Sequence, residues 1–316
     1  MIERPAGRGR ERGWARRVTA LGGLLLVIAA CGPGPTAPPS SPSPLATATP
    51  GPGETAEPSE TAGPTPTAAM ARAYFVLGSG AQTGLVPVVS GLAPTEAGPD
   101  AAARALLAGP AAVGLPDLDE SVRLLLRTAI PPGVALLGLT VDAGVATVDL
   151  DATFEAATED GLPTAFRVGQ VVYTLTQFPE VEGVLIRIEG ALVTIIGPDA
   201  FPQDRPLTRA DFTDQLPALF VDEPAWGATI SSPVRVAGLA NAFEATFEVR
   251  IADAEGRALA AGTVTATCGT GCWGEFEVDV PFTVQAAGPG VLEVFELSPR
   301  DGARQNLRVY PVTLVP

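Results

Sequence analysis

The chain has 316 residues, with 35 acidic side chains against 20 basic ones and no histidine. Every basic residue is an arginine, which excludes a Ser-His-Asp triad, a histidine metal site, a Schiff-base lysine and a P-loop lysine. The acidic balance repels phosphates, so no nucleic-acid partner is expected, and the length accommodates two ordinary domains.

Residues 1–31 have the pattern of an export signal. Arg4, Arg8, Arg10, Arg12, Arg16 and Arg17 precede an apolar core, Leu21 and Leu24 to Ile28, and small residues follow. That core is far short of the roughly 20 apolar residues a bilayer span needs. Ile28-Ala29-Ala30-Cys31 resembles the lipobox of bacterial lipoproteins. The resemblance implies a diacylglyceryl group on the Cys31 thiol, cleavage before it, and anchoring on the extracytoplasmic face of the cell membrane. Two or three acyl chains anchor stably where one is marginal. An ordinary secretory signal with an incidental cysteine is the alternative.

Residues 32–71 are Pro, Thr, Ser, Ala and Gly with a few glutamates. They are too poor in apolar surface to offset their ordering entropy and read as a disordered tether. At about 3.1 Å per residue in polyproline form, the tether reaches roughly 100 Å.

From residue 72 onward the pattern is mixed. "AYFVL" and "LVPVVS" predict two strands joined by the loop Gly78–Gly84. Pro99 to Ala108 predicts a short helix, with proline in its first turn and Gly109-Pro110 as its stop. "ALLGLTV" and "VATVDLD" flank the hairpin turn Asp142-Ala143-Gly144. Val168, Val171, Val172 and Leu175 recur at helical spacing, predicting a helix with one buried face between Pro163 and Pro179. "VLIRI" and "ALVTII" predict a last hairpin around Glu189-Gly190, and the mixture indicates an α+β domain.

"ARALLAGP", "TAIPPGVALLGLTVDAGVATVDLDATF" and "VVYTLTQFPEVEGVLIRIEG" together resemble the GerMN domain, named for sporulation and spore-germination proteins. The resemblance places such a domain over residues 72–198. Its hallmarks Leu107, Gly109, Pro110 and Pro131 also read as packing and turn residues, so it brings no catalytic residue to carry over.

After a connection at residues 199–217, strict alternation takes over. Phe247, Val249 and Ile251 alternate with Thr246, Glu248 and Arg250, and Phe276, Val278, Val280 and Phe282 alternate with Glu275, Glu277 and Asp279. Half-buried strands of an all-β antiparallel sandwich follow, over residues 218–316. "ISSPVRVAGLANAFEATFEVRI", "WGEFEVDVPF" and "LEVFELSPRDGARQN" resemble the immunoglobulin-like domain of bacterial spore germination proteins, a family often fused behind GerMN in lipoproteins.

Gly269 to Gly274 spells G-x-G-x-x-G, but an alternating strand follows where a dinucleotide site needs a helix N-terminus. Cys268 and Cys272 bracket Gly-Thr-Gly in a strand connection, which outside the cytoplasm favours a local disulfide, with free thiols as the alternative. Two thiolates without histidine do not make a zinc site. The carboxylates Asp117, Asp119 and Glu120 read as a helix start, and Asp149, Asp151 and Glu155 as surface and capping groups, Asp151 capping the segment after it. Calcium binding by the last three lacks the loop glycine it requires. No cofactor and no metal are expected.

These readings define a non-enzymatic envelope lipoprotein that presents two interaction domains to an envelope protein or cell-wall partner. The resemblance implies a setting in envelope assembly, sporulation or germination. Related domains assemble into rings or accessory complexes, which implies a capacity for self-association. Two alternatives stand beside it: a carboxylate-based peptidoglycan or carbohydrate-active enzyme, and a ligand-sensing accessory lipoprotein of a membrane sensor kinase.

Overall fold

The computed structural model describes residues 71–92, 98–113, 125–158 and 161–316. The export signal, Cys31, the tether up to residue 70, and Asp117, Asp119 and Glu120 lie outside the described residues.

The first domain opens with β1 (Arg72–Leu77) and β2 (Gly84–Val89), an antiparallel hairpin. Helix α1 (Pro99–Leu107) follows, with Pro99 in its first turn, where a missing N–H costs nothing. It ends at Gly109, whose φ of 81° suits a residue without Cβ. The short β3 (Leu126–Arg127) pairs with β1, and Pro131 is buried in the turn beyond it.

Strands β4 (Leu136–Asp142) and β5 (Val145–Leu150) form the expected hairpin. Ala143 and Gly144 both have positive φ, as a two-residue turn matched to strand twist requires. Helix α2 (Thr164–Leu175) then carries the chain to β6 (Gly183–Ile188), parallel to β5. The same kind of turn at Glu189-Gly190 leads into β7 (Ala191–Leu192).

"ALVTII" is two strands rather than one. After β7 the chain leaves the sheet, and β8 (Ile195–Ile196) pairs with β9 (Phe201–Pro202). Gln203 occupies the vacated edge. Its Oε1 accepts the Ile186 N–H at 2.8 Å, and its Nε2 donates to the carbonyls of Ile186 and Val193 at 2.9 and 2.8 Å. A side-chain amide thus replaces a strand neighbour and supplies partners to these backbone groups.

Helix α2 differs from the amphipathic expectation, because it is buried on nearly every side. One flank meets β1 and β2, another meets β6 and α1, and a third meets a 3-10 segment at Arg209–Gln215. Phe212 of that segment is fully buried, faces Gly169 of α2, and stacks on Phe201 at 5.6 Å. Burial of one such ring contributes about 2 kcal/mol. Leu207 and Leu216 of the same stretch, residues 199–217, are also buried.

The second domain is a sandwich. One sheet runs β10 (Leu219–Glu223), β12 (Val234–Ala240), β15 (Gly274–Val280), with β11 (Thr229–Ile230) placed in the other sheet. That other sheet is ordered β11, β17 (Arg304–Leu314), β16 (Gly288–Leu297), β13 (Thr246–Asp253), β14 (Ala258–Thr265). Phe247 and Phe276 meet edge to face at 4.8 Å between the sheets, as the alternation predicts. The outward face of β13 is not simply acidic: Arg250 pairs with Glu293 at 2.7 Å, and Glu248 accepts the Thr263 hydroxyl at 2.7 Å. The α+β domain followed by an all-β sandwich is the fold class expected from the sequence.

Candidate functional site at the domain junction

The two domains share one hydrophobic core, and a cluster of polar side chains lies where they join. Trp226, just beyond β10, exchanges backbone hydrogen bonds with β2: its N–H donates to Pro87 at 2.9 Å and its carbonyl accepts from Val89 at 3.0 Å. Arg308 of β17 donates to the carbonyl of Gln82 in the β1–β2 loop.

Asp222 sits where the β10–β12 register shifts, between Val221 and Glu223. One carboxylate oxygen accepts the Tyr74 hydroxyl, and the other accepts Nη1 of Arg209 at 2.8 Å. Arg209 also donates to the Thr176 hydroxyl at 2.9 Å and to the Tyr74 oxygen at 3.1 Å. Its guanidinium lies over the rings of Tyr173 and Tyr74, 4.7 and 5.5 Å from their centroids. Arg72 donates to the Asp222 carbonyl at 2.9 Å and stands 3.7 Å from Glu223.

The chain has three tyrosines, and all three belong to this junction. Tyr74 and Tyr173 are fully buried, and the Tyr173 hydroxyl donates to the Arg209 carbonyl at 3.4 Å. Tyr310, from the sandwich, accepts the Val221 N–H at 3.1 Å. A buried phenol needs a partner for its hydroxyl, and each has found one across or beside the boundary.

Burial works to raise the Asp222 carboxyl, but the guanidinium groups of Arg209 and Arg72 outweigh it and hold the group below its ordinary value. Burial pushes the Tyr74 hydroxyl up to about 12, with the Asp222 charge adding to the effect against the opposing arginines. Tyr310 rises to about 12, again chiefly through burial. An ionised carboxylate and neutral phenols are therefore the stable states over the whole neutral range. Neither exchanges protons near pH 7, as general acid-base chemistry there would require.

Beside the cluster lies an open groove of about 710 Å³. Arg72, Arg209 and Asp222 line one side of it, with Ala237, Leu239 and Glu275 among its other residues. Arg235 on its rim is bridged to Glu277 at 2.8 Å and also to Glu223.

The residues singled out by sequence lie elsewhere and are not brought together. Asp149 accepts the Gly190 N–H at 2.8 Å and so holds the β6–β7 turn. Asp151 stands at the head of the 3-10 turn Ala152–Glu155 but does not cap its backbone. Its carboxylate instead accepts the Ala135 N–H at 3.1 Å and the Thr153 hydroxyl at 3.0 Å, because the β4 end passes closer. Among the described residues no three acidic or cysteine side chains converge as metal ligands.

The Cys268 and Cys272 sulfurs lie within bonding reach of each other, with Cα atoms 6.1 Å apart. In Gly269–Gly274, Gly269 and Gly274 serve close backbone packing, and Gly271 takes a positive φ of 94°. A Cβ on Gly269 would lie 2.3 Å from the Ala245 nitrogen, and one on Gly274 would lie 2.2 Å from the Cys268 carbonyl oxygen.

Tyr173 falls within a stretch that carries the family resemblance, but Arg72, Tyr74, Arg209 and Asp222 belong to no such stretch. The signal available was scarcity: in a chain with three tyrosines, each set in an apolar run, their hydroxyls had to meet polar partners from distant sequence.

A mixed domain with its helix between two sheets, fused to an antiparallel sandwich through a shared core, is the class of protein these features define. Residues 72–194 match the family described as "Sporulation and spore germination", and residues 218–303 match "Immunoglobulin-like domain of bacterial spore germination". Lipoprotein LpqB of Cutibacterium acnes is 32% identical over 163 residues, or 51% of this chain; the match spans 25% of that protein's length. Among solved structures, the first GerMN domain of the sporulation protein GerM from Bacillus subtilis is 19% identical with a TM-score of 0.32, covering 45% of this chain and 98% of that one. The tandem GerMN domains of the same protein are 15% identical with a TM-score of 0.35, covering 78% of this chain and 60% of that one.

Proposed function

We propose that the chain is a lipid-anchored extracytoplasmic lipoprotein whose fused domains act as one non-enzymatic interaction module of the cell envelope. The junction carries this reading. Asp222, Arg209 and Arg72 are partnered with one another across the domain boundary, and their protonation is held away from neutrality. Such an arrangement suits fixed presentation of two surfaces, since a proton-transfer site needs a group that titrates near the working pH. The lipobox-like Ile28-Ala29-Ala30-Cys31 and the similarity to a lipoprotein support anchoring through Cys31. The partner is then an envelope protein or cell-wall material, in the setting of sporulation and germination proteins.

The test is Cys31→Ala in the full chain, followed by metabolic labelling with a radioactive fatty acid and by membrane fractionation. Loss of label and release from the membrane are expected. A variant that keeps its label and stays in the membrane fraction overturns anchoring through Cys31. Hydrolysis of peptidoglycan or polysaccharide by the purified wild-type chain, abolished on replacing a carboxylate, overturns the non-enzymatic part.

A further inference from the structure

At one end of the sandwich, Phe243 projects into solvent from the connection between β12 and β13, with 54% of its surface exposed. The backbone beneath it is strained. Glu244 and Ala245 are consecutive non-glycine residues with φ of 54° and 60°, a region that persists only where the surroundings over-determine it.

Those surroundings are the loop 266–273. Thr270 donates its N–H to the Ala242 carbonyl at 2.8 Å and accepts the Glu244 N–H on its hydroxyl at 3.1 Å. Gly271 donates to Asn241 Oδ1 at 2.9 Å, and Ala266 donates to the Ala245 carbonyl at 2.8 Å. Gly269 presses against the Ala245 backbone where no side chain fits. From the other sheet, Glu296 accepts the Phe243 N–H at 2.7 Å and is itself held by the Asn306 amide. Thr270, too, is in the left-handed region, at φ 48°. The loop that braces one strained turn is thus itself strained, and the Cys268–Cys272 bond closes it.

We propose that the Cys268–Cys272 bridge is a redox-sensitive catch on the turn that presents Phe243. With the bridge closed, loop 266–273 is confined against residues 241–245 and Phe243 is fixed outward. An external dithiol opens it: two electrons and two protons pass to the sulfurs, the Sγ–Sγ bond breaks, two thiols remain on the chain, and the dithiol becomes a disulfide. Freed of the short closed loop, Thr270 and Gly271 leave their partners and the turn relaxes out of the left-handed region. The exposure of Cys272 gives the reductant access. This proposal rests on the pairing of the two cysteines and is independent of anchoring through Cys31.

The experiment is hydrogen exchange read by mass spectrometry on the full chain, with and without dithiothreitol, and on the double variant Cys268→Ser/Cys272→Ser. Amides of residues 241–245 and 266–273 are expected to exchange on the order of tenfold faster in both opened forms, while β13 and β16 stay unchanged. Gly269→Ala, which displaces the loop with the bridge intact, is expected to give the same local acceleration without reductant. Equal rates in the oxidised and opened forms overturn the catch, and acceleration spread over the whole sandwich replaces it with a general stabilising bridge. Alkylation of both cysteines before any reduction overturns the pairing itself, with no bearing on Cys31.

Discussion

The side chain of Gln177 pairs with the backbone of Arg72 as a neighbouring strand would: Oε1 accepts the Arg72 N–H at 2.8 Å, and Nε2 donates to the Arg72 carbonyl at 2.7 Å. The same amide also donates to the Thr174 carbonyl at 2.6 Å, which ties the end of α2 to the start of β1. Gln170, two turns earlier, does likewise, donating to the Tyr74 carbonyl and accepting the Ala129 N–H, both at 2.8 Å. Replacing Gln177 by Ala strands two partly buried backbone groups, and a loss of about 2 kcal/mol is expected. Gln177→Glu is expected to do no better, because a carboxylate accepts the N–H but repels the carbonyl. Urea denaturation of both variants measures the difference.

Asp222→Asn tests the junction. The amide keeps the volume but leaves Arg209 among two phenols and a neutral partner, and about 2 kcal/mol of stability is expected to go, the group being one-fifth exposed. Tyr74→Phe removes the other bond to the same carboxylate and is expected to cost about 1 kcal/mol. Since both touch one network, the double variant should lose less than the sum of the two, a double-mutant cycle read from denaturation midpoints.

The pH dependence of stability follows with its sign from these shifts. The Asp222 carboxyl is lower in the folded state than in the unfolded chain, so its contribution is complete above the ordinary carboxylate value near 3.8 and fades as pH falls below it. Tyr74 and Tyr310 are raised to about 12 from 10.0, so their contribution is complete below pH 10 and fades between about 10 and 12. Thermal melting is expected to be flat through the neutral range and to fall on both sides. Tyr74→Phe should blunt the alkaline fall, and Asp222→Asn the acid one.

Gly238→Ala is expected to be the most damaging single change in the sandwich. Its Cβ would lie 2.0 Å from the Phe220 carbonyl oxygen and 3.0 Å from the Phe276 ring, in the middle of β12. Neither neighbour is the free end of a flexible chain. A loss of about 3 kcal/mol is expected, seen as a lowered melting temperature and poor soluble yield.

Local elements were legible in the sequence wherever one periodicity or one turn governed them. The Ala143-Gly144 and Glu189-Gly190 turns, Pro99 at the head of α1, and the alternation of Phe247, Val249 and Ile251 all report short-range constraints. What stayed hidden depends on long-range partners. The valines of α2 marked one apolar face, but the burial of Arg167, Gln170 and Thr174 follows from the carbonyls and strand edges they meet. Arg167, for instance, donates to Ala129 at 2.9 Å and to Ala156 at 2.8 Å as well as to Phe154. No local pattern announces that. The junction was hidden for the same reason: 148 residues separate Tyr74 from Asp222, and each sits in an ordinary-looking strand.

Strand β1 has a mechanical meaning. It is the first described strand after residues 32–71, and its first residue is the one held by Gln177 through the backbone and by Asp222 through the side chain. Tension arriving along the chain from the N-terminal side is therefore delivered straight to Arg72. From there it divides between the end of α2 and the opening strand of the sandwich. Such a load is borne by both domains together, and a pull strong enough to peel β1 from its place unfastens the junction in the same event.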